Sequence, residues 1–263
     1  MKKAMRVAAK GIAFFVGWAV CASLLPIPAV QDAAWWRFWA ELIPLAAIVV
    51  ITAIFWRLDG GRTKLHLTGR PAYSAVWGAA VGLVWLGTAV GILLLTGTAR
   101  VEGRNTVTKP VIWMLSALLN TIMQEMLVRG YLYQMVKREY NAAAATAVST
   151  ALFTFAHGGA FEAGVLPVLN VITMSLLMTA AMAYTGSLIA PIVMHFLWNG
   201  LGAIVLGGVS LAEDYPHWLQ MVFSGSELLN GGSCKLEGSV VVLAINMLLT
   251  AAVVWQIVKK KRA

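Results

Sequence analysis

A chain of 263 residues that is 60% hydrophobic, 12% charged and has a mean hydropathy of +0.78 is too apolar for a water-soluble domain, in which about a quarter of residues are charged. Its net charge of +9 does not point to nucleic acid, because the basic residues sit at the ends of apolar segments and form no reading face. Cys21 and Cys234 lie far apart without metal-ligand spacing, which excludes a disulfide framework.

These features imply an all-α fold: a polytopic helical membrane bundle, with residues 1–263 forming a single integral membrane domain. Eight apolar segments are long enough to span: 9–29, 37–56, 72–97, 111–136, 141–158, 164–184, 187–207 and 239–258. The start, MKKAMRVAAKGIAFFVGWAVCASLLP, imitates a secretory signal. Val20 is a poor residue before the cysteine of a lipoprotein cleavage box, and many spans follow, so the segment reads as an uncleaved first helix.

Orientation follows from Lys and Arg. With the N-terminus cytoplasmic, the inside segments carry Lys2, Lys3, Arg6, Lys10, Arg57, Arg62, Lys64, Arg70, Lys137, Arg138, Lys259, Lys260, Lys261 and Arg262. The outside segments carry Arg37, Arg100, Arg104, Lys109 and Lys235, and Arg129 lies within the fourth span. The bias predicts both termini inside. The outside loop Ser210–Gly238 is rich in Gly and Ser and acidic through Glu213, Asp214, Glu227 and Glu237. Trp35, Trp36 and Trp39 form an aromatic belt where span two begins.

Within the spans a few polar groups stand out: Gln124, Glu125 and Arg129 in TIMQEMLVRGYLY, His157 after ALFTFA, and His195 with Asn199 in PIVMHFLWNG. Asn120, Asn170 and Asn246 also fall inside spans. Glu125 and Arg129 are four apart and share a helix face, which lets opposite charges lower the cost of insertion, about 3 kcal/mol for each charge alone. His195 and Asn199 have the same spacing, and Pro191 fits the first turn of their helix. A structural ion pair and interhelical hydrogen bonds would explain each group taken singly.

Depth favours a site. At 1.5 Å per residue, Glu125 lies roughly 18 Å above Lys137, His157 roughly 24 Å above Asn141, and His195 and Asn199 roughly 12 and 18 Å above Ser187. Three helices thus bring a carboxylate, two imidazoles and an amide to one level. A carboxylate with a histidine can strip a proton from water attacking a carbonyl. A histidine with an asparagine can donate to the oxyanion. No embedded Ser or Cys has an obvious paired base, and no close-spaced zinc signature occurs. Zinc remains compatible with Glu125, His157 and His195 as ligands around an open position.

QEMLVRG, FTFAH and HFLWN, in that order on successive spans, resemble the three motifs of the CPBP (CAAX protease and bacteriocin-processing, also Abi) family of glutamic-type intramembrane endopeptidases. The family pattern is E-E-x-x-x-R, F-x-x-x-H and H-x-x-x-N, and the resemblance covers a catalytic core at about 110–205. GGSCKLEGS is similar to the family's late loop. The resemblance implies that Glu125, matching the second glutamate, and His157 activate water, that His195 and Asn199 form the oxyanion hole, and that Arg129 is the motif arginine. Gln124 stands where the family has its first glutamate, and an amide cannot take a proton at neutral pH.

The expected function is therefore hydrolysis of a peptide bond in a membrane-associated peptide or protein, in a bacterial plasma membrane, with the lipid bilayer as partner and no nucleic acid. Bacteriocin processing is a family role. A catalytically lapsed member that binds a peptide, as an immunity or scaffold protein, is the alternative that Gln124 supports. A proton-coupled carrier is a third, weakened by the lack of inverted repeats.

Overall fold

The computed structural model describes residues 1–210 and 214–262, with the side chain of Lys261 excepted; Glu213 of the acidic loop lies outside the described residues. The chain runs α1 (Lys2–Leu24), α2 (Ala33–Leu58), α3 (Pro71–Leu95), β1 (Ala99–Arg104) and α4 (Pro110–Glu125). A π-helical turn, Met126–Gly130, joins α4 to α5 (Tyr131–Glu139), and α6 (Ala142–Ala156), α7 (Gly159–Ala163) and α8 (Val165–Thr185) follow. Then come α9 (Ile189–Leu197) with a second π-helical segment, Trp198–Val205, β2 (Leu219–Phe223), α10 (Glu227–Asn230), a 3₁₀ segment (Gly232–Gly238) and α11 (Val240–Arg262).

Among the described residues six helices are long and apolar enough to cross a membrane, and two further apolar helices, Ala142–Ala156 and Ile189–Val205, are shorter. These are the eight expected segments, but two are too short to be full spans by themselves. α6 has 15 residues, a rise of about 22 Å against roughly 30 Å of hydrocarbon. His157, which caps its C-terminal end, therefore stops short of the far face.

The fold is the expected all-α bundle, with one small sheet beside the helices. β1 and β2 pair antiparallel as a two-stranded sheet with a register irregularity between Val101 and Gly103. The alternating Ala99–Arg104 strand was hidden by its charges, and its partner lies more than a hundred residues on.

Charges sort to the two ends of the bundle. At one end Lys3 donates to the Glu139 carbonyl, Lys10 and Arg138 pair with Asp59, and the Lys260 ammonium lies 5.5 Å from the Tyr184 ring. At the other, Arg37 pairs with Asp214 and Lys109 with Asp32, which also caps α2 by accepting from the Trp35 N–H at 3.1 Å. The basic residues assigned to the inside segments thus share an end with both chain termini.

Helices α3 and α9 approach closely because Gly78 and Gly82 face α9: a Cβ at Gly78 would lie 2.7 Å from the Ala190 carbonyl. Trp85 stacks on Trp198 with ring centroids 4.2 Å apart and donates to Asn246 Oδ1 at 2.7 Å. Asn246 in turn donates to Thr173 Oγ1 at 3.0 Å, and Asn170 donates to the Glu237 and Ser239 carbonyls at 2.8 and 3.0 Å. Asn170 and Asn246 therefore tie α8, α3 and α11 together as interhelical donors.

Asp59, just past α2, is buried and accepts from Thr63 Oγ1 at 2.8 Å, Tyr131 OH at 2.6 Å and Arg138 Nη1 at 3.2 Å, besides Lys10. Burial pushes its carboxyl up, but the Lys10 ammonium and the Tyr131 and Thr63 hydroxyls outweigh burial and hold it well below the usual carboxylate range. A depressed carboxylate stabilises the fold above its unfolded value of about 3.9 and loses that contribution as pH falls below it. Asp59→Asn should therefore destabilise the protein by about 2 kcal/mol at pH 7, read as a lower Tm in detergent. The gap to wild type should narrow in scans taken at progressively lower pH; a gap independent of pH would contradict the role assigned to this charge.

Candidate active site

Glu125 ends α4 and Arg129 lies in the π-helical turn that follows. Both side chains are 0% exposed. Arg129 Nη1 donates to Glu125 Oε2 at 2.9 Å, Nη2 to the Ser175 carbonyl and hydroxyl at 2.9 and 2.8 Å, and Nε to Thr179 Oγ1 at 3.2 Å. The guanidinium carbon also sits 4.9 Å from the Phe153 ring centroid. The other carboxylate oxygen, Oε1, is 3.0 Å from His195 Nδ1. The i,i+4 pair expected from sequence is present, although the turn between its partners is widened.

Both histidines are tethered through Nδ1. His157 Nδ1 is 2.8 Å from the Phe153 carbonyl. A carbonyl only accepts, so that nitrogen carries the proton and Nε2 of the neutral ring is an acceptor. His195 Nδ1 likewise faces the Glu125 carboxylate. The Phe153 ring lies between the two imidazoles, with centroids 4.3 Å from His157 and 5.9 Å from His195.

Gln124, His157, His195 and Asn199 line one cavity of about 250 Å³, whereas Glu125 and Arg129 lie behind its wall. Asn199 Nδ2 is 3.5 Å from Thr121 Oγ1. Gln124 Nε2 donates to Asn120 Oδ1 at 2.6 Å, while its buried Oε1 has no partner among the described residues. The Trp198 indole N–H, also on the wall, is equally without one. A second cavity of about 570 Å³ meets the first at His157, Val171, Ser210 and Glu237 and is lined by Gly158, Gly159 and Ser233.

The zinc set considered from sequence does not fit this arrangement. Both Glu125 oxygens face donors, one of them a guanidinium cation, and His195 Nδ1 is taken by the same carboxylate. Among the described residues no three His, Cys, Asp or Glu side chains converge as metal ligands.

Four cavity residues were not singled out by sequence: Arg37, Glu41, Tyr215 and Glu237. Glu41, on α2 and 5% exposed, accepts from Asn120 Nδ2 at 2.8 Å through Oε2, and from Arg37 Nη1 at 3.2 Å and Tyr215 OH at 3.4 Å through Oε1. Arg37 and Glu41 have the same i,i+4 spacing as Glu125 and Arg129, a signal present within span two. Glu237 accepts from the Ser210 N–H at 3.1 Å.

The helical bundle thus holds a cavity walled by two Nδ1-tethered histidines, an asparagine amide and a glutamine carbonyl without a partner among the described residues. Residues 106–201 match the family model described as Type II CAAX prenyl endopeptidase Rce1-like, so this part of the chain is similar to that family. The matched segment, a little over a third of the chain, holds all six residues expected from sequence. The searches of curated proteins and of solved structures return no match.

Removing one partner of a fully buried ion pair leaves the other uncompensated, at about 3–5 kcal/mol. Arg129→Leu should lower the Tm in detergent steeply, and the Glu125→Leu/Arg129→Leu double variant should lose less than the sum of the singles. Additive losses would mean that the two charges do not depend on each other.

Proposed function

We propose that the protein is an intramembrane endopeptidase in which His157 is the general base. Water bridges His157 Nε2 and Gln124 Oε1. It loses a proton to His157 as its oxygen attacks the peptide carbonyl, and the imidazolium then returns that proton to the leaving amine. For the oxyanion the donor at hand is Asn199 Nδ2, and His195, whose Nδ1 proton faces Glu125, adds an Nε2 donor only as the imidazolium. Glu125 is a positioning residue: its carboxylate fixes the His195 ring and neutralises Arg129.

The observation that carries this reading is the pair of Nδ1-tethered imidazoles on one cavity wall with Asn199 and an unpartnered Gln124 carbonyl. The sequence resemblance implied that Glu125 and His157 together activate water. The full burial of Glu125 between Arg129 and His195 supports the positioning role instead. The substrate is a peptide or membrane protein presented at the bilayer. The positive-inside bias favours a plasma membrane of bacterial type with both termini cytoplasmic.

Purified protein in detergent, incubated with a quenched peptide library and followed by mass spectrometry, tests this. His157→Ala should reduce cleavage by about 10²- to 10⁴-fold with little change in Tm, because its one hydrogen bond is local to the end of α6. Asn199→Ala should cost about 10²- to 10³-fold. Undiminished cleavage by His157→Ala would refute the assignment. Peptide binding without cleavage, with turnover appearing only in Gln124→Glu, would favour the lapsed, peptide-binding alternative that the neutral Gln124 supports.

A further inference from the structure

We infer that Glu41 is a positioning residue that fixes the polarity of Gln124 through Asn120, so that an amide offers the reacting water a carbonyl oxygen where the family motif has a carboxylate. This inference rests on the hydrolytic reading of the cavity.

The argument is one of donors and acceptors. An asparagine or glutamine amide has one donating and one accepting end of nearly equal shape, so isolated amides in a cavity turn either way. A carboxylate has no such freedom, since ionised it only accepts. Glu41 Oε2 meets Asn120 at 2.8 Å, which requires the Asn120 NH₂ to point at Glu41. Its Oδ1 must then face Gln124 and accepts from Nε2 at 2.6 Å. The Gln124 NH₂ is thereby occupied, and the end left over is the buried, unpartnered Oε1. Each bond sets the direction of the next, and the sequence starts at Glu41, whose other oxygen accepts from the Arg37 guanidinium and the Tyr215 hydroxyl.

Glu41 is itself held. Arg37 Nη1 and Tyr215 OH occupy its other oxygen, and Arg37 also pairs with Asp214. With donors at both oxygens, one of them a guanidinium, the Glu41 carboxyl is held in place with Oε2 turned toward Asn120. Glu41 and Gln124 lie on different helices, α2 and α4, and Asn120 is one α-helical turn before Gln124. The connection therefore reaches the motif position from outside the matched segment 106–201.

The consequence for chemistry is specific. Water held by Gln124 Oε1 donates one hydrogen to the amide oxygen and the other to His157 Nε2, leaving a lone pair for the carbonyl carbon. If the Gln124 amide were reversed, its NH₂ would donate to that lone pair and oppose attack. Glu41 thus acts on the rate through the orientation of another side chain.

The experiment is a reversal of polarity. Glu41→Gln should lower kcat by about tenfold or more, with KM nearly unchanged, as expected for loss of about one hydrogen bond that matters in the transition state. Asn120→Ala, which leaves the Glu41 pair with Arg37 and Tyr215 intact, should give a similar loss. Adding Gln124→Glu to Glu41→Gln should restore cleavage, because a carboxylate at 124 accepts whichever way Asn120 points and the neighbouring charge at 41 is gone. A purely structural role for Glu41 would not be rescued from position 124. Full activity in Glu41→Gln, or no rescue in the folded double variant, would overturn the inference.

A second measurement does not need turnover. In ¹³C-glutamine-labelled protein, the Gln124 side-chain carbonyl band, identified by subtraction of Gln124→Leu, should shift on Asn120→Ala and on Glu41→Gln. An unchanged band would overturn the inference even if no substrate is cleaved. A shifted band in a protein whose wild type and Gln124→Glu forms cleave nothing would uphold it and instead refute the hydrolytic reading.

Discussion

The buried charge at Arg129 organises the centre of the bundle. Removing a guanidinium from water carries a penalty of several kcal/mol even after relaxation, and it is bearable here because almost every donor is met. Glu125 supplies the countercharge, Ser175 and Thr179 of α8 supply three oxygens, and Phe153 of α6 turns its ring toward the cation. Glu125 then uses its second oxygen to hold His195 of α9. One ion thereby fixes the relative positions of α4, α6, α8 and α9. The cavity is the space that remains between them on the side of Glu125 facing α2.

The two π-helical turns follow from this constraint. A π turn inserts a residue into the α-helical register and rotates what comes after it. The first contains Arg129, and the second begins at Trp198 and contains Asn199. Across the first turn Arg129 still reaches Glu125 while Tyr131 and Tyr133, in the next helix, stay buried. Across the second, Asn199 joins His195 on the cavity wall while Trp198 stacks on Trp85. Turns of this kind leave unsatisfied or lengthened backbone bonds, and their place beside the polar cluster fits their frequent use at functional sites.

Much of this centre is legible in the sequence, because charge inside an apolar span is costly and therefore informative. Glu125 with Arg129, His157 before two glycines, and His195 with Asn199 are exceptions to an apolar rule, and simple counting of helical rise brings them to one level. The widened turns are not legible, since nothing in MLVRG or WNGLGAIV distinguishes a π turn from an α turn. Glu41 was open to the same reasoning that found Glu125, for it stands four residues from Arg37 within span two. It escaped because Arg37 was counted as a topology charge at the membrane face. In the structure Arg37 belongs to both settings, pairing outward with Asp214 and inward with Glu41. Tyr215 and Glu237 come from a loop whose return to the cavity depends on long-range pairing, including the β1–β2 sheet, which local periodicity does not encode.

Gln124 therefore has to be judged with its neighbours and not as an isolated departure from a motif. A glutamate at 124 would place a second negative charge one residue from Glu125 and close to Glu41, in a region where like charges repel strongly because water is scarce. Arg37 and Arg129 could not also neutralise a carboxylate at 124, since Arg129 already faces Glu125 and Arg37 both Glu41 and Asp214. With glutamine at 124 and glutamate at 41, Glu125 faces Arg129 and Glu41 faces Arg37, and position 124 offers the cavity an amide oxygen in place of a third carboxylate. That electrostatic balance separates two tasks that one carboxylate could perform together. In the proposed reaction, holding the water falls to a neutral oxygen whose direction is set from Glu41, and taking its proton falls to the His157 ring. The arrangement makes the rate depend on the orientation of an amide, and hence on a residue of α2 that no motif position contains.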